Sequence, residues 1–503
     1  MPRSPRPGLL PRIILLTLVL LVPSLTRGIE LEPNLKAGLQ LLKEGDELAD
    51  QGKPTEAVVR YKTAFEHLLP GLRKLSFKHE VKRDVTRREQ LKELLLKEID
   101  QDLTPEEFRA NELAMKAFGL IPPSLDLKAL LVQVYSEEIA AFYDPKTKTM
   151  HLIEEPEPDA QKKPSFLERL LGKRGGFDKD ENKSVIAHEL THALADQHYD
   201  LEGLHAAAKH DDDRALAVSA LIEGEATLAM MGAGMDDWEG VKVVKMPAED
   251  LERSLDFITP FLSFMGGKSL KSAPPIIAET MTFPYFRGMV FCAKLTNNDG
   301  WKAVDKAYRD PPVSTEQILH PDKFLSERDD PTLLDLGTFS LGPQWQEVGR
   351  NVLGELQIAI MLRRYQGKEA AAGWDGDRYA VFEGPEGKLG LVWMSTWDHE
   401  KDAQEFAQSY VRYQSSRMPG DWRPPRRIPD ALWRCQDGVC WIVERRGSDV
   451  VVVEGFGPAE SDRAVEAAFA AEKLAYPAAD RVLHFPARPR TESNQSPAPD
   501  VKD

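Results

Sequence analysis

Two histidines stand four residues apart in the run HELTH, and a glutamate directly follows the first of them: His188, Glu189 and His192. Residues at this spacing lie on one face of an α-helix, about 40° apart around its axis, so both imidazoles can reach one metal ion. This pattern is typical of a zinc site in which the glutamate takes a proton from the attacking water. Because the flanking residues are apolar, we expect the helix to be buried, where charged groups require partners.

Two residues compete for the position of the third ligand. His198 lies at nearly the spacing of the pattern HExxHxxGxxH, but that pattern needs a glycine to break the helix where this chain has Ala195. On an uninterrupted helix, His198 would lie about 15 Å along the axis from His188, too far to share an ion. Glu223 lies in a second apolar, helix-like run, where a buried carboxylate requires a cation. The adjacent Gly224 lets helices approach closely, and Glu223 is therefore the predicted ligand.

The run LIEGEA around Glu223 resembles the x-E-G-x-A element of gluzincins, whose glutamate is the third zinc ligand. More broadly, roughly residues 130–460 resemble an uncharacterised family of bacterial and archaeal secreted zincin-like proteins. The resemblance implies a zinc metallopeptidase with one Zn²⁺ per chain, held by His188, His192 and Glu223. Thr227 departs from it, because many gluzincins have an aspartate there. The matching runs are FYDPKTKTMHL, HELTHALADQHYDL, EGEAT, FPYFRG, PPVSTEQILHP and GWDGDRYAVFEG.

Four further residues are candidates for supporting roles. Asp196, one turn after His192, is either a partner that orients a ligand histidine or an exposed residue at the end of the helix. Glu225 is expected to be solvated or to lie in the second coordination sphere. Tyr285 and His320 are candidate hydrogen-bond donors to the oxyanion that forms when water attacks a carbonyl.

The run STEQILHP, which contains Glu316 and His320, also has a structural interpretation. Its Ser-Thr pair would cap a helix, the following Glu or Gln would complete the capping box, and His320 with the next proline would end the helix. The sequence favours this interpretation, because spacing alone does not bring Tyr285 or His320 near the metal.

Residues 140–153 have apolar ends around Asp-Pro-Lys-Thr-Lys, which predicts a strand, a turn and a second strand. The segment with Phe142 and Tyr143, or the segment with Met150 and Leu152, would be the sheet edge that aligns an extended peptide.

The predicted fold class is α+β. Residues 29–118 are expected to be helical, with a single tetratricopeptide-like hairpin that offers a surface for a protein partner. A mainly helical zincin-like catalytic domain follows at residues 119–330, interrupted by an exposed loop at residues 154–183. Residues 331–485 show alternating apolar stretches and predict a C-terminal α+β domain with an antiparallel sheet. Whether the N-terminal helices are a removable pro-segment is left open.

The two chain ends are expected to lie outside the folded domains. Residues 1–28 combine a basic start, the apolar run Ile13–Val22 and small residues before Gly28, the layout of a signal peptide cleaved after Gly28. An uncleaved anchor is the alternative, although the apolar run is shorter than the roughly 20 residues that span a bilayer. Residues 486–503 have the composition of a disordered tail. We therefore predict a secreted, periplasmic or cell-envelope protein without stable membrane insertion after cleavage.

The chain has three cysteines. Cys435 and Cys440 flank an Asp-Gly turn, so they form either a disulfide across a hairpin or two free thiols on adjacent strands. Cys292 lies in an apolar run and is expected to be a small buried residue.

The overall charge limits the class of partner. A net charge of −16 argues against nucleic acid, which binds surfaces with a surplus of Lys and Arg. The predicted partner is a peptide or protein substrate. The alternative is a zinc-stabilised binding or scaffold protein of the cell envelope, but a purely structural zinc site has no use for Glu189.

Overall fold

The computed structural model describes residues 33–154, 178–262, 268–418, 421–423 and 430–478. The predicted signal peptide, most of the predicted loop at residues 154–183 and the predicted tail lie outside the described residues.

The chain begins with a helical hairpin of α1 (Pro33–Asp50) and α2 (Pro54–Arg73). The helices approach closely because Gly45 of α1 lies under the ring of Tyr61 of α2, where an added Cβ would be 2.5 Å from a ring carbon. The other side of α2 is buried in the same hydrophobic core as the helix that carries the HELTH run.

The expectation that residues 29–118 contain only helices is wrong at Lys82–Arg87, which form strand β1. This strand pairs in parallel with β3 (Thr149–Glu154), and β2 (Ala141–Asp144) pairs antiparallel with the other side of β3. The sheet order β1-β3-β2 therefore leaves β2 at an edge. The largely charged sequence KRDVTR carries no apolar alternation because most of this outer strand is solvent-exposed.

Helices α3 (Arg88–Asp102), α4 (Pro105–Phe118) and α5 (Leu127–Glu138) separate β1 from β2. The central helical body follows β3, and its main helices are α6 (Lys179–Tyr199), α8 (Asp212–Gly234) and α12 (Pro275–Asp299). Asp178 caps α6 by accepting from the backbone N–H groups of Asp180 and Glu181, so the end of the predicted loop is helical. The shorter helices are α7 (Leu201–Ala208), α9 (Val241–Val244), α10 (Ala248–Leu262), α11 (Lys268–Ser272), α13 (Trp301–Arg309), α14 (Thr315–Leu319) and α15 (Asp322–Leu325).

Helix α8 is the core helix of this body. Within the described residues it is the only helix long and apolar enough to cross a membrane, but 67% of its apolar window is buried inside the protein. It crosses α12 at backbone contact: a Cβ added to Gly224 would lie 2.1 Å from the carbonyl carbon of Gly288. Only glycine at both positions allows this approach.

The C-terminal part is an antiparallel six-stranded sheet with helices on it, so the α+β prediction is confirmed. The strand order is β5-β6-β7-β10-β9-β8, and β4 pairs with β11 beside it. The strands are β4 (Leu333–Asp335), β5 (Gln346–Asn351), β6 (Trp374–Glu383), β7 (Leu389–Trp397), β8 (Ala431–Gln436), β9 (Val439–Arg446), β10 (Asp449–Phe456) and β11 (Glu472–Leu474). The helices are α16 (Gly354–Met361), α17 (Gly367–Ala371), α18 (Glu400–Arg417) and α19 (Pro458–Phe469).

Helix α4, which precedes the central body in the chain, packs into the core of this C-terminal sheet. Phe118 is fully buried and meets the rings of Tyr379 and Trp393 edge to face, each at 5.2 Å. Tyr413 donates a hydrogen bond of 2.7 Å to the Phe118 carbonyl oxygen. The core of the C-terminal sheet domain therefore includes α4, a helix that ends before residue 119.

Two sequence features have structural roles in the C-terminal sheet. Within the run GWDGDRYAVFEG, the Asp377 carboxylate accepts hydrogen bonds of 2.9 Å from the indole N–H groups of Trp374 and Trp393. Cys435 and Cys440 stand opposite each other in the β8–β9 hairpin and form a disulfide. Cys292 is a buried free thiol, as expected.

Candidate metal centre

Helices α6 and α8 bring His188, His192 and Glu223 together. The Nε2 atoms of the two histidines are 3.0 Å apart. One carboxylate oxygen of Glu223, Oε2, lies 3.1 Å from Nε2 of His188 and 3.4 Å from Nε2 of His192. Three potential ligand atoms thus converge on one point between the helices.

This arrangement fits a zinc ion in both chemistry and size. A tetrahedral Zn²⁺ with bonds of about 2.0–2.1 Å separates its ligand atoms by about 3.3 Å, close to the three distances found here. The donors are two imidazole nitrogens and a carboxylate oxygen, a set used by zinc enzymes, and three protein ligands leave the fourth position to water or substrate. Within the described residues, no fourth His, Cys, Asp or Glu joins this group.

His192 and Glu223 each shift the other's pKa. Burial opposes a charge on His192, but the Glu223 carboxylate outweighs it and raises the pKa of the imidazole to about 9. Burial likewise opposes the charge of Glu223, yet the two histidines lower the pKa of its carboxyl group. The pocket therefore favours a negative carboxylate in contact with positive charge.

Glu189 lies between this cluster and the sheet edge. Burial raises the pKa of its carboxyl group, and the backbone N–H of Tyr143 on β2 donates a hydrogen bond to it. Ile153 donates its N–H to the Ala140 carbonyl, and since bonded pairs alternate in an antiparallel ladder, the backbone groups of Ala141 and Tyr143 point away from β3.

Among the described residues, the strand that contains Phe142 and Tyr143 is thus an edge of the small sheet with no partner strand on its outer side. The other segment considered, with Met150 and Leu152, lies in β3, which is paired on both sides. Of the two predicted edges, only β2 has a side without a partner strand among the described residues, and that side adjoins Glu189.

Tyr285 and His320, the two candidate oxyanion donors, lie in different places. The ring of Tyr285 on α12 stacks against His188, with centroids 6.1 Å apart. Glu223, burial and Glu189 together raise the pKa of its phenol, so the group stays protonated and can donate a hydrogen bond. The Nε2 atom of His320 lies 2.9 Å from a carboxylate oxygen of Glu355, and no described contact joins His320 to the cluster.

The run STEQILHP forms the capped helix that the sequence favours, but without the predicted capping box, because the Gln317 side chain accepts from the N–H of Val313 rather than from that of Ser314. The Ser314 side chain caps α14 by accepting from the N–H of Gln317, and His320 ends the helix. Glu316 is buried and pairs with Lys323 at 2.6 Å. The same lysine also pairs with two aspartates, Asp329 at 2.8 Å and Asp398 at 3.0 Å, so its ammonium supplies the cation for this acidic group.

Tyr135 on α5 is a neighbour of the centre that sequence reasoning missed. The residue is 37% exposed, and burial by surrounding atoms and the charge of Glu223 raise the pKa of its phenol. The sequence offers no signal for this, because Tyr135 stands alone in an apolar helix well before the metal motif.

Asp196 has neither of the two predicted roles. Its side chain is buried, accepting a hydrogen bond of 2.7 Å from the Tyr143 hydroxyl and pairing with Lys148 at 2.9 Å. It therefore ties α6 to β2 rather than lying exposed, and no described contact joins it to a ligand histidine.

The three remaining candidates have different surroundings. Glu225, whose expected solvation is wrong, is 1% exposed and accepts hydrogen bonds from Arg73 and Tyr308. The Nε2 atom of His198 contacts the carbonyl oxygen of Ser76 at 2.9 Å, away from the cluster. Thr227 has a buried hydroxyl without a hydrogen-bond partner in the described residues.

Comparison with known families adds one finding. A family model described as a domain of unknown function (DUF8575) matches residues 341–465. The matched segment runs from just before β5 into α19 and does not include the histidine–glutamate cluster. No curated protein and no solved structure matches the chain.

Proposed function

We propose that the protein is a zinc-dependent metallopeptidase that hydrolyses peptide bonds. The observation that carries the proposal is the convergence of His188, His192 and Glu223, with Glu189 between this cluster and a sheet edge that has no partner strand in the described residues. A structural zinc site would close its fourth position with protein and would need neither the glutamate nor the edge.

In this proposal each residue around the cluster has its own role in the reaction. A zinc ion held by the cluster supplies Lewis acidity that activates water and a carbonyl group at neutral pH. Glu189 takes the proton of the attacking water and then delivers it to the departing amine. The Tyr285 phenol, which is protonated and beside His188, donates a hydrogen bond to the developing oxyanion.

Strand β2 is the proposed binding surface for the substrate. An extended peptide would add to its outer edge and hydrogen-bond the backbone N–H and C=O of Ala141 and the C=O of Tyr143, whose N–H is bonded to Glu189. Because these bonds involve only the main chain, β2 would align peptides of many sequences and place the scissile bond beside Glu189.

We also propose that the protein acts outside the cytoplasm, as a secreted, periplasmic or cell-envelope enzyme. The basic and apolar start of the chain supports export. The Cys435–Cys440 disulfide also supports it, because disulfides persist in oxidising compartments.

A peptide-library cleavage assay tests the proposed activity. We expect the full chain to cleave peptides, to lose cleavage on treatment with a chelator, and to regain it when zinc is added back. A protein that binds zinc but cleaves no member of a broad library would contradict the proposal. The Glu223→Ala variant is the matched control for contaminating peptidases, since it should be inactive under all three conditions.

A further inference from the structure

We propose that Arg73 of α2 is a positioning residue for the metal ligand Glu223, which makes the N-terminal hairpin a permanent part of the metal centre rather than a removable segment. The inference rests on the proposed metal centre but not on peptidase activity. It is carried by a buried network that joins α2 to the back of α8.

Arg73 is at the centre of this network. The residue is 0% exposed, and its guanidinium pairs with Glu225 and, at 2.7 Å, with Asp305 of α13. It also lies over the indole ring of Trp301, 4.7 Å from the ring centroid. The Tyr308 hydroxyl donates to the second carboxylate oxygen of Glu225, so both oxygens are bound.

Glu225 stands two residues after Glu223 on α8. On an α-helix, two residues correspond to a rotation of about 200°, so these side chains point to opposite sides of the helix. Glu223 faces the histidines of α6, whereas Glu225 faces Arg73 and Tyr308. Bonds to Glu225 therefore fix the rotation of α8 about its axis, and that rotation decides whether Glu223 points at the metal.

Stability alone gives a weak reason for such a network. The desolvation of a buried ion pair often outweighs its attraction, and apolar residues of similar size stabilise as well or better. What the pair supplies instead is directionality, since guanidinium and carboxylate bond in few geometries. A fixed rotation is what a ligand helix requires, because metal ligands tolerate little displacement.

The backbone of the hairpin is also built into the central body. A Cβ on Gly71 would lie 2.6 Å from the carbonyl oxygen of Trp238, and one on Gly240 would lie 2.1 Å from that of Leu72. These contacts join the end of α2 to the segment that follows α8. A segment that is cleaved off before activity has no need for backbone contact with the connection that follows α8, the helix that carries Glu223.

The test measures zinc affinity by chelator competition, together with the visible spectrum of the Co²⁺-substituted full chain. Arg73→Met should weaken zinc binding by on the order of 10-fold or more and alter the Co²⁺ spectrum. Tyr308→Phe, which keeps the ring, should weaken binding less. Arg73→Lys should restore part of the loss, because its ammonium can still bond one Glu225 oxygen.

A matched control is Arg417→Met, which removes another largely buried arginine, one that faces Glu454 at 3.9 Å in the C-terminal sheet domain. This variant should lower stability and leave zinc affinity unchanged. If Arg73→Met does not fold, Tyr308→Phe and Arg73→Lys still decide the question. Folded variants with wild-type zinc affinity and Co²⁺ spectrum would overturn the inference.

The same experiment separates this inference from the proposed activity. Wild-type protein that binds zinc without cleaving peptides, while the variants lose affinity, would contradict the peptidase and support the positioning role. Wild-type protein that binds no zinc would overturn both.

Discussion

At the scale of single residues, the HELTH spacing predicts that both imidazoles meet at one site, because a helix fixes which side chains share a face, and in the structure they do meet. The choice of Glu223 over His198 could also be reasoned, since Ala195 keeps the helix intact. The neighbours of the centre could not be predicted. The fold alone places Tyr285 against His188 and brings the Tyr135 phenol within the influence of the Glu223 charge, and nothing local to either residue encodes this.

The identity of the third ligand can be decided by a pair of substitutions. Glu223→Ala should leave the purified protein with much less than one zinc per chain, because only two ligands remain. His198→Ala removes a contact with the Ser76 carbonyl at the far end of α6 and should keep the zinc content of the wild type. Metal analysis after gel filtration measures both, and loss of zinc in His198→Ala alone would reverse the assignment.

A second pair of substitutions tests the two candidate hydrogen-bond donors to the oxyanion. Tyr285→Phe removes one donor beside His188, so kcat should fall by about 10²- to 10³-fold while zinc remains bound. His320→Gln should leave kcat unchanged, because His320 contacts Glu355 instead of the cluster. Steady-state kinetics on one peptide measures both effects. An unaffected Tyr285→Phe would exclude this phenol from catalysis.

At the scale of elements, the strongly periodic helices and the 140–153 hairpin were predictable because their apolar patterns are local. β1 was not, since its charged sequence becomes a strand only by pairing with β3, more than sixty residues later in the chain. The place of α4 in the fold was likewise not predictable. Its apolar face predicts a helix, but only the fold shows that Phe118 completes the core of a sheet far along the chain.

The crossing of α8 and α12 has a direct consequence for the metal site. Gly224→Ala would place a methyl group against the backbone of Gly288, forcing the helices apart beside Glu223. We expect both lower stability and weaker zinc binding. Gly234→Ala, on the same helix, is the matched control. No atom lies within 4 Å of its added Cβ, so it should leave zinc binding unchanged and stability the same or slightly higher.

Thermal unfolding and zinc titration of these two variants measure the effect. A Gly224→Ala protein with wild-type zinc affinity would show that α8 can shift without moving Glu223.

At the scale of the whole molecule, the three parts expected from the sequence are interwoven. α2 contributes Arg73 to the back of the ligand helix, β1 belongs to the sheet whose edge adjoins Glu189, and α4 belongs to the C-terminal core. Long-range packing of this kind leaves no trace in local composition, which is why the sequence suggested consecutive domains. The matched family segment, residues 341–465, lacks α4 and is therefore not the complete structural unit.

Processing of the N-terminus is a further prediction at this scale. Export should remove residues 1–28, so the mature protein should begin at Ile29 and retain α1 and α2. Intact-mass analysis and N-terminal sequencing of protein from the periplasm or medium measure this. A mature form that starts beyond Arg73 would contradict both the cleavage site and the permanent role of the hairpin.

The central claim is that Glu189 acts as the base in a zinc-dependent peptidase, and one measurement on the Glu189→Gln variant tests it most directly. Zinc content and peptide cleavage are compared with those of the wild type in the same preparation. We expect the variant to keep one zinc per chain, because Glu189 is not a ligand, and to lose cleavage, because an amide cannot accept the proton of the attacking water. A variant that keeps its zinc and still cleaves peptides at the wild-type rate would contradict the account.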